Sequence, residues 1–202
     1  AYLGQGRVYM STAFDNPADA RMILRQAISD DPFLVEAYFE LANAEIKLLH
    51  YDLALGYLET AARYNSTSPE LYALRAQAHL GLGNIDRAIS NAQRANELDT
   101  THLLTYRILG EAYIADDNLA EAHWPLSTYT TYVSDDAQAW AWLGMTYVYY
   151  QEIDTAYEIL NQAIELKSNL FDARLTRGQL YLDEEEYDLA RQDFATALGT
   201  NP

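Results

Sequence analysis

Trp140-Ala141-Trp142-Leu143-Gly144-Met145-Thr146-Tyr147 carries an aromatic residue, a leucine beside a glycine, and a tyrosine at steps of three or four residues. That spacing puts Trp140, Leu143, Gly144 and Tyr147 on one face of a helix, with the glycine leaving room for a second backbone. Ala156, Leu160 and Ala163 follow at steps of four and three, the mark of a second helix whose inner face is mostly small. Steps of 34 residues from Ala156 reach Ala20, Ala54, Ala88, Ala122 and Ala190, an unbroken alanine column. From Ala163 the series is Ala27, Ala61, Ala95, Tyr129 and Ala197, and from Leu160 it is Leu24, Leu58, Ala92, Leu126 and Phe194. The column of Gly144 holds Val8, Ala42, Ala76, Gly110 and Gly178. A fixed period of this length, with small residues in register, signals a stack of identical two-helix units, because one hairpin alone cannot bury its apolar face.

The pattern W-x-x-L-G-x-x-Y followed by A, L and A resembles the tetratricopeptide repeat (TPR) signature; only its closing proline is missing, with Ser168 in that place. The resemblance covers the whole chain. It implies an all-α, right-handed α-solenoid (superhelix) of antiparallel helix hairpins. One array spans 1–202, with repeats at 1–34, 35–68, 69–102, 103–136, 137–170 and 171–202. Repeat 1 is irregular: Gly6 and Tyr9 take the glycine and tyrosine roles two positions early, and Gly4 and Gly6 predict a fraying first helix. Pro69 suits the first turn of the next helix. Pro125 lies well inside the second helix of repeat 4 and predicts a kink there, with Tyr129 widening the space between the paired helices. Thr146 to Tyr150 reads as strand by propensity, but the repeat register makes it the end of a helix.

Composition narrows the function. The formal net charge is −17, which argues against nucleic acid, whose binders need a basic footprint. The acidity is heaviest in the last repeat and suits a basic partner. No apolar run reaches membrane length. With no cysteine, thiolate nucleophiles and thiolate metal sites are excluded. His50, His79, His102 and His123 show no metal-ligand spacing, and no catalytic constellation emerges, so neither an enzyme activity nor a metal or other cofactor is expected. Asn65-Ser66-Thr67 matches a glycosylation sequon and reads as an inter-helix turn. The chain opens at Ala1 without an initiator methionine, which reads as a fragment or processed product. Its last repeat lacks the capping helix usual in the family, which leaves Leu198 open to end-to-end self-association.

The resemblance also implies a site. The first helices of successive TPR repeats line a concave groove that binds a protein or peptide, with contacts from repeat positions 2, 5, 6, 9, 12 and 13. Those positions hold Glu36, Phe39, Glu40 and Asn43 in repeat 2, Glu70, Leu74 and Gln77 in repeat 3, and Arg107, Ile108 and Glu111 in repeat 4. Repeat 5 adds Gln138, Trp142, Met145 and Tyr149, and repeat 6 adds Asp172, Thr176 and Gln179. Trp142 is the expected centre, as a second large aromatic beside the packing Trp140. Trp124, on a second helix, is the rival centre on the convex face. The Lys/Asn/Arg clamp with which chaperone-binding TPR domains hold a terminal carboxylate is absent. The expected function is therefore a non-catalytic protein- or peptide-binding scaffold. Two alternatives are an interaction module of a larger enzyme or assembly, and a groove for a small apolar or glycan ligand at Trp142 and Tyr149.

Overall fold

The computed structural model describes residues 1–11 and 13–199. Among them are twelve helices and no strand: α1 (Tyr2–Met10), α2 (Pro17–Asp30), α3 (Val35–Lys47), α4 (Tyr51–Ala62), α5 (Pro69–Gly81), α6 (Ile85–Leu98), α7 (Leu103–Ala115), α8 (Leu119–Tyr132), α9 (Ala137–Tyr149), α10 (Ile153–Leu166), α11 (Phe171–Asp183) and α12 (Tyr187–Ala197). They form two compact units, 1–108 and 109–202, with the division falling inside α7. In the first unit α1 packs on α2, α3 on α4 and α5 on α6, and each hairpin meets the next through α2–α3 and α4–α5. In the second, α9 packs on α10 and α11 on α12, joined by α8–α9 and α10–α11.

The small-residue columns explain why these helices pair. Ala20, Ala54, Ala88, Ala122, Ala156 and Ala190 are all buried, as are Ala27, Ala61, Ala95 and Ala163. Alanine at these points lets two backbones approach while leucines fill the remaining space. Glycine goes further: a Cβ added to Gly144 would lie 2.7 Å from Cδ2 of Leu160, and one added to Gly110 2.5 Å from Cδ2 of Leu126. Gly6 stands in the same relation to Leu24, at 2.5 Å, and is buried while Val8 is exposed. The glycine role in repeat 1 therefore does fall two positions early.

The turn inside each repeat shows the same shift. The amide of position 16 reaches the carbonyl of position 11 in five repeats: His50 to Glu45, Asn84 to His79, Asn118 to Tyr113, Glu152 to Tyr147 and Glu186 to Tyr181, at 2.8–3.0 Å. This six-to-one bond closes a helix C-terminus and requires a left-handed residue just before the donor. That residue is Leu49 (φ 62°), Gly83 (72°), Asp117 (55°), Gln151 (61°) and Glu185 (64°). In repeat 1 the bond runs from Asn16 to Tyr9, so two extra residues are accommodated before Asp15 (φ 37°). Leu49 is the bulkiest of these residues and is 70% exposed, so it gains little by burial. Leu49→Gly is expected to raise stability by about 1 kcal/mol, seen as a higher urea midpoint. An unchanged or lower midpoint would mean that the leucine makes a compensating contact.

Local capping fits the helix starts. Asn16 and Ser68 accept from the amides of Asp19 and Leu71, each just before a proline at the first helical position. Asp136 accepts from Gln138 and Ala139 at the start of α9. The helix α9 runs through Thr146 to Tyr149, so register prevails over strand propensity. Pro125 does not end α8, which is helical from Leu119 to Tyr132 with the proline ring buried. The hydroxyls of Thr128, Thr130 and Thr131 turn back onto the carbonyls of Trp124, Leu126 and Ser127 at 2.8–2.9 Å. These threonines thus bond within the helix that their propensity disfavours.

Candidate functional site

The first helices form a wall in each unit. In the first, α1 touches α3 and α3 touches α5. Arg7 Nε donates to Glu40 Oε1 at 2.6 Å across α1 and α3. Burial raises the Glu70 carboxyl on α5, Glu40 and Glu36 raise it further, and Arg7 opposes them. Three carboxylates thus share this wall with one arginine. Asn43 and Gln77 are half-buried here. Phe39 and Leu74, expected to face a ligand, are buried in the cluster that also holds Tyr38, Ala42, Leu58 and Leu71. Both are core residues, because α3 and α5 approach closely enough to cover them. Ile108 is fully buried as well, and Arg107, in the same unit, is half-buried.

In the second unit α9 touches α11. Gln138 Nε2 donates to Asp172 Oδ2 at 2.5 Å, joining two expected groove residues one repeat apart. Further along the same pair of helices, Met145 and Val148 of α9 face Leu175, Thr176, Gln179, Leu180 and Asp183 of α11 across a depression of about 400 Å³, closed at one side by Leu119 of α8. Its wall is mainly apolar, with polar groups from Thr176, Gln179 and Asp183, the composition of a ligand-binding concavity. Gln179 Nε2 donates to Asp183 Oδ1 at 2.8 Å. Tyr149 is 54% exposed and stacks edge-on against Tyr150, with ring centres 5.2 Å apart. Glu111, on the last part of α7, is half-buried.

Trp142 is not on the open side of this wall. It is 9% exposed and lies in a cluster with Ala122, Leu126 and Leu143, flanked by Tyr113, Trp140 and Met145. The small Ala122 leaves space for the indole to sink toward α8, so the surplus aromatic serves packing between helices. A platform for a glycan or other small ligand built on Trp142 and Tyr149 loses its larger ring for the same reason. Trp124, in contrast, is 55% exposed.

Several charged groups escape the periodic pattern. Glu45 is fully buried; His50 Nδ1 lies 2.8 Å from its Oε2, Arg25 Nη2 3.3 Å from its Oε1, and Arg21 Nη1 3.9 Å from its Oε2. Asp193 of α12 is 1% exposed and bonded by both arginines of α11: Arg174, and Arg177 at 2.7 and 2.8 Å. Burial alone would raise the Asp193 carboxyl, but the hydrogen bonds from Arg177 and Arg174 outweigh it and hold the group below the usual carboxylate range. The arginines are thereby turned toward α12. His123 is held by Thr146 Oγ1 at 2.8 Å and sits edge-on to Tyr147 and Tyr150. Burial, and then Arg87 and Arg75, lower the pKa of His79. Among the described residues no group of three or more His, Cys, Asp or Glu is arranged to hold a metal ion, and no helix is long and apolar enough to cross a membrane.

The pocket residues Val148, Leu175 and Asp183 are absent from the sequence-derived set, yet they occupy repeat positions 12, 5 and 13. Their positions in the repeat mark them as groove residues, whereas Trp142 combines a groove position with a conspicuous residue type and is buried.

Helices paired through alanine and glycine columns, and first helices joined into a wall, define a helical-hairpin repeat protein. The tetratricopeptide repeat model matches residues 69–102, 137–170 and 171–202, which coincide with three of the repeats read from the 34-residue spacing. Human tetratricopeptide repeat protein 13 is 25% identical over 159 residues, covering 76% of this chain and 18% of that protein. The chain therefore spans under a fifth of that relative's length. The crystal structure of the APC/C hetero-tetramer Cut9–Hcn1 superposes with a TM-score of 0.84 at 23% identity, covering 98% of this chain and 39% of the compared one. YrrB, described as a TPR protein with an unusual peptide-binding site, gives a TM-score of 0.60 at 22% identity over 85% of this chain and 88% of its own. The chain belongs to the tetratricopeptide repeat family, and its fold is an all-α repeat fold. Repeats of this family build protein-interaction scaffolds in general.

Proposed function

We propose that the protein is a non-catalytic scaffold that binds a peptide segment of another protein along the wall of first helices, with the α9–α11 depression as its principal subsite. The observation that carries this reading is the depression itself. Met145, Thr176 and Gln179, three residues at groove positions of two successive repeats, converge there around an apolar floor. Methionine adapts its shape to varied side chains, which suits a site that accepts segments of another protein. The likeness to YrrB, whose description includes a peptide-binding site, agrees with the reading. The exposed Trp124 supports a second reading, in which the partner rests on the second helices.

A random-peptide display selection on the full chain separates the two. Recovered peptides are expected to lose at least tenfold in affinity on Met145→Arg and to bind Trp124→Ala as they bind the parent. Loss confined to Trp124→Ala would transfer the function to the second helices.

A further inference from the structure

The α9–α11 depression is apolar at its floor and acidic at its rim. Leu175 and Leu180 of α11, with Met145 and Val148 of α9, supply the floor, and Asp183 stands at the end of α11. Gln179 holds one oxygen of the exposed Asp183 carboxylate and fixes its position. The sign of the charge here is set by what happens on the other side of α11. That helix carries two arginines, Arg174 and Arg177, and both are drawn to the buried Asp193 of α12, Arg177 also reaching Asn161 at 2.5 Å. With its arginines so engaged, α11 offers the wall its carboxylates: Asp183 at the rim and Asp172 one end away, the latter held by Gln138. A site of this kind rewards a ligand that combines apolar bulk with positive charge, because each part meets its complement without stranding a buried charge.

We propose, building on the groove reading above, that the α9–α11 depression takes a bulky aliphatic side chain of a bound peptide, and that a lysine or arginine next to that residue pairs with Asp183. The aliphatic side chain supplies most of the affinity, through area removed from water. The basic residue pairs with an exposed carboxylate, so its contribution is modest, and it acts mainly on orientation and encounter rate. An acidic or neutral segment of the same apolar content binds more weakly, since it leaves Asp183 without its complement.

The test uses synthetic peptides with sequences recovered by display selection on the full chain, titrated at low and at physiological salt. The recovered set is expected to be enriched in Leu, Ile or Met beside Lys or Arg. Changing the aliphatic residue to alanine should cost more than tenfold in affinity. Changing the basic residue to glutamine should cost about three- to fivefold at low salt, and less as salt is raised. Asp183→Asn should reproduce that second loss and add nothing to it when the two changes are combined. Leu175→Arg should abolish binding; Leu175 is partly exposed, and Thr176→Lys provides a second change at the same wall. If the wall variants abolish binding while glutamine replaces the basic residue without loss, the charge pairing is wrong and the groove reading stands. If neither wall variant weakens binding, or no peptide is recovered, both the subsite and the groove reading are overturned.

Discussion

Asp193→Ala is expected to be among the most damaging single changes in the second unit, at about 3–5 kcal/mol. Its carboxylate is 1% exposed and receives hydrogen bonds from Arg174 and Arg177, whose side chains are each 15% exposed. Removing it leaves two mostly buried guanidinium groups facing each other without an anion. Because repeat arrays hold together through nearest neighbours, the damage should stay near that end. Amide exchange is the suitable readout: protection in α11 and α12 should collapse while α3 to α6 keep theirs. Equal protection in the variant and the parent would show that the pair contributes nothing net. The same group sets a pH window. Its folded pKa lies below the unfolded value, so its stabilisation is complete above about pH 4 and is lost as the pH falls through the lower folded value. Protection in α12 should therefore be level between pH 7 and pH 5 and fail only in stronger acid, a fall that Asp193→Ala should not show.

Leu160→Ala is expected to cost about 2–5 kcal/mol. Leu160 has no exposed surface and lies against Gly144, where even one added carbon would come within 2.7 Å. The glycine cannot move to fill the space left by a shortened side chain, so a cavity remains between α9 and α10. Glu158, two residues away in the same helix, is exposed, and Glu158→Ala should change stability by less than about 0.5 kcal/mol. Urea midpoints that agree for the two variants would refute the 34-residue register, which assigns one position to the core and the other to solvent.

The register was legible because it rests on small residues. Alanine at 20, 54, 88, 122, 156 and 190 has one structural reading when it recurs at a fixed interval, and the structure buries all six. Even the irregular first repeat was readable, since Gly6 and Tyr9 keep their mutual spacing two positions early. The site was less legible. Position in the repeat says which wall a residue belongs to, but the depth of a large side chain depends on its neighbours: Phe39 and Leu74 are covered by packing between α3 and α5, and Trp142 sinks toward Ala122. Polar residues at the same positions, such as Thr176 and Gln179, cannot be buried so cheaply and line the pocket. The ionic clusters were illegible for a different reason. Glu45 meets Arg25 across 20 positions and Asp193 meets Arg177 across 16, and periodicity brings helices together without specifying which long side chains find each other.

The most direct test of the account is a photo-crosslinking amino acid placed singly at Thr176 and at Trp124 in the full chain, with a display-selected peptide as the probe. Thr176 lies in the α9–α11 depression, and Trp124 is an exposed residue of a second helix. A covalent adduct is expected from position 176, suppressed by excess unlabelled peptide, and none from position 124. An adduct from position 124 alone would contradict the account and would place the working surface on the second helices.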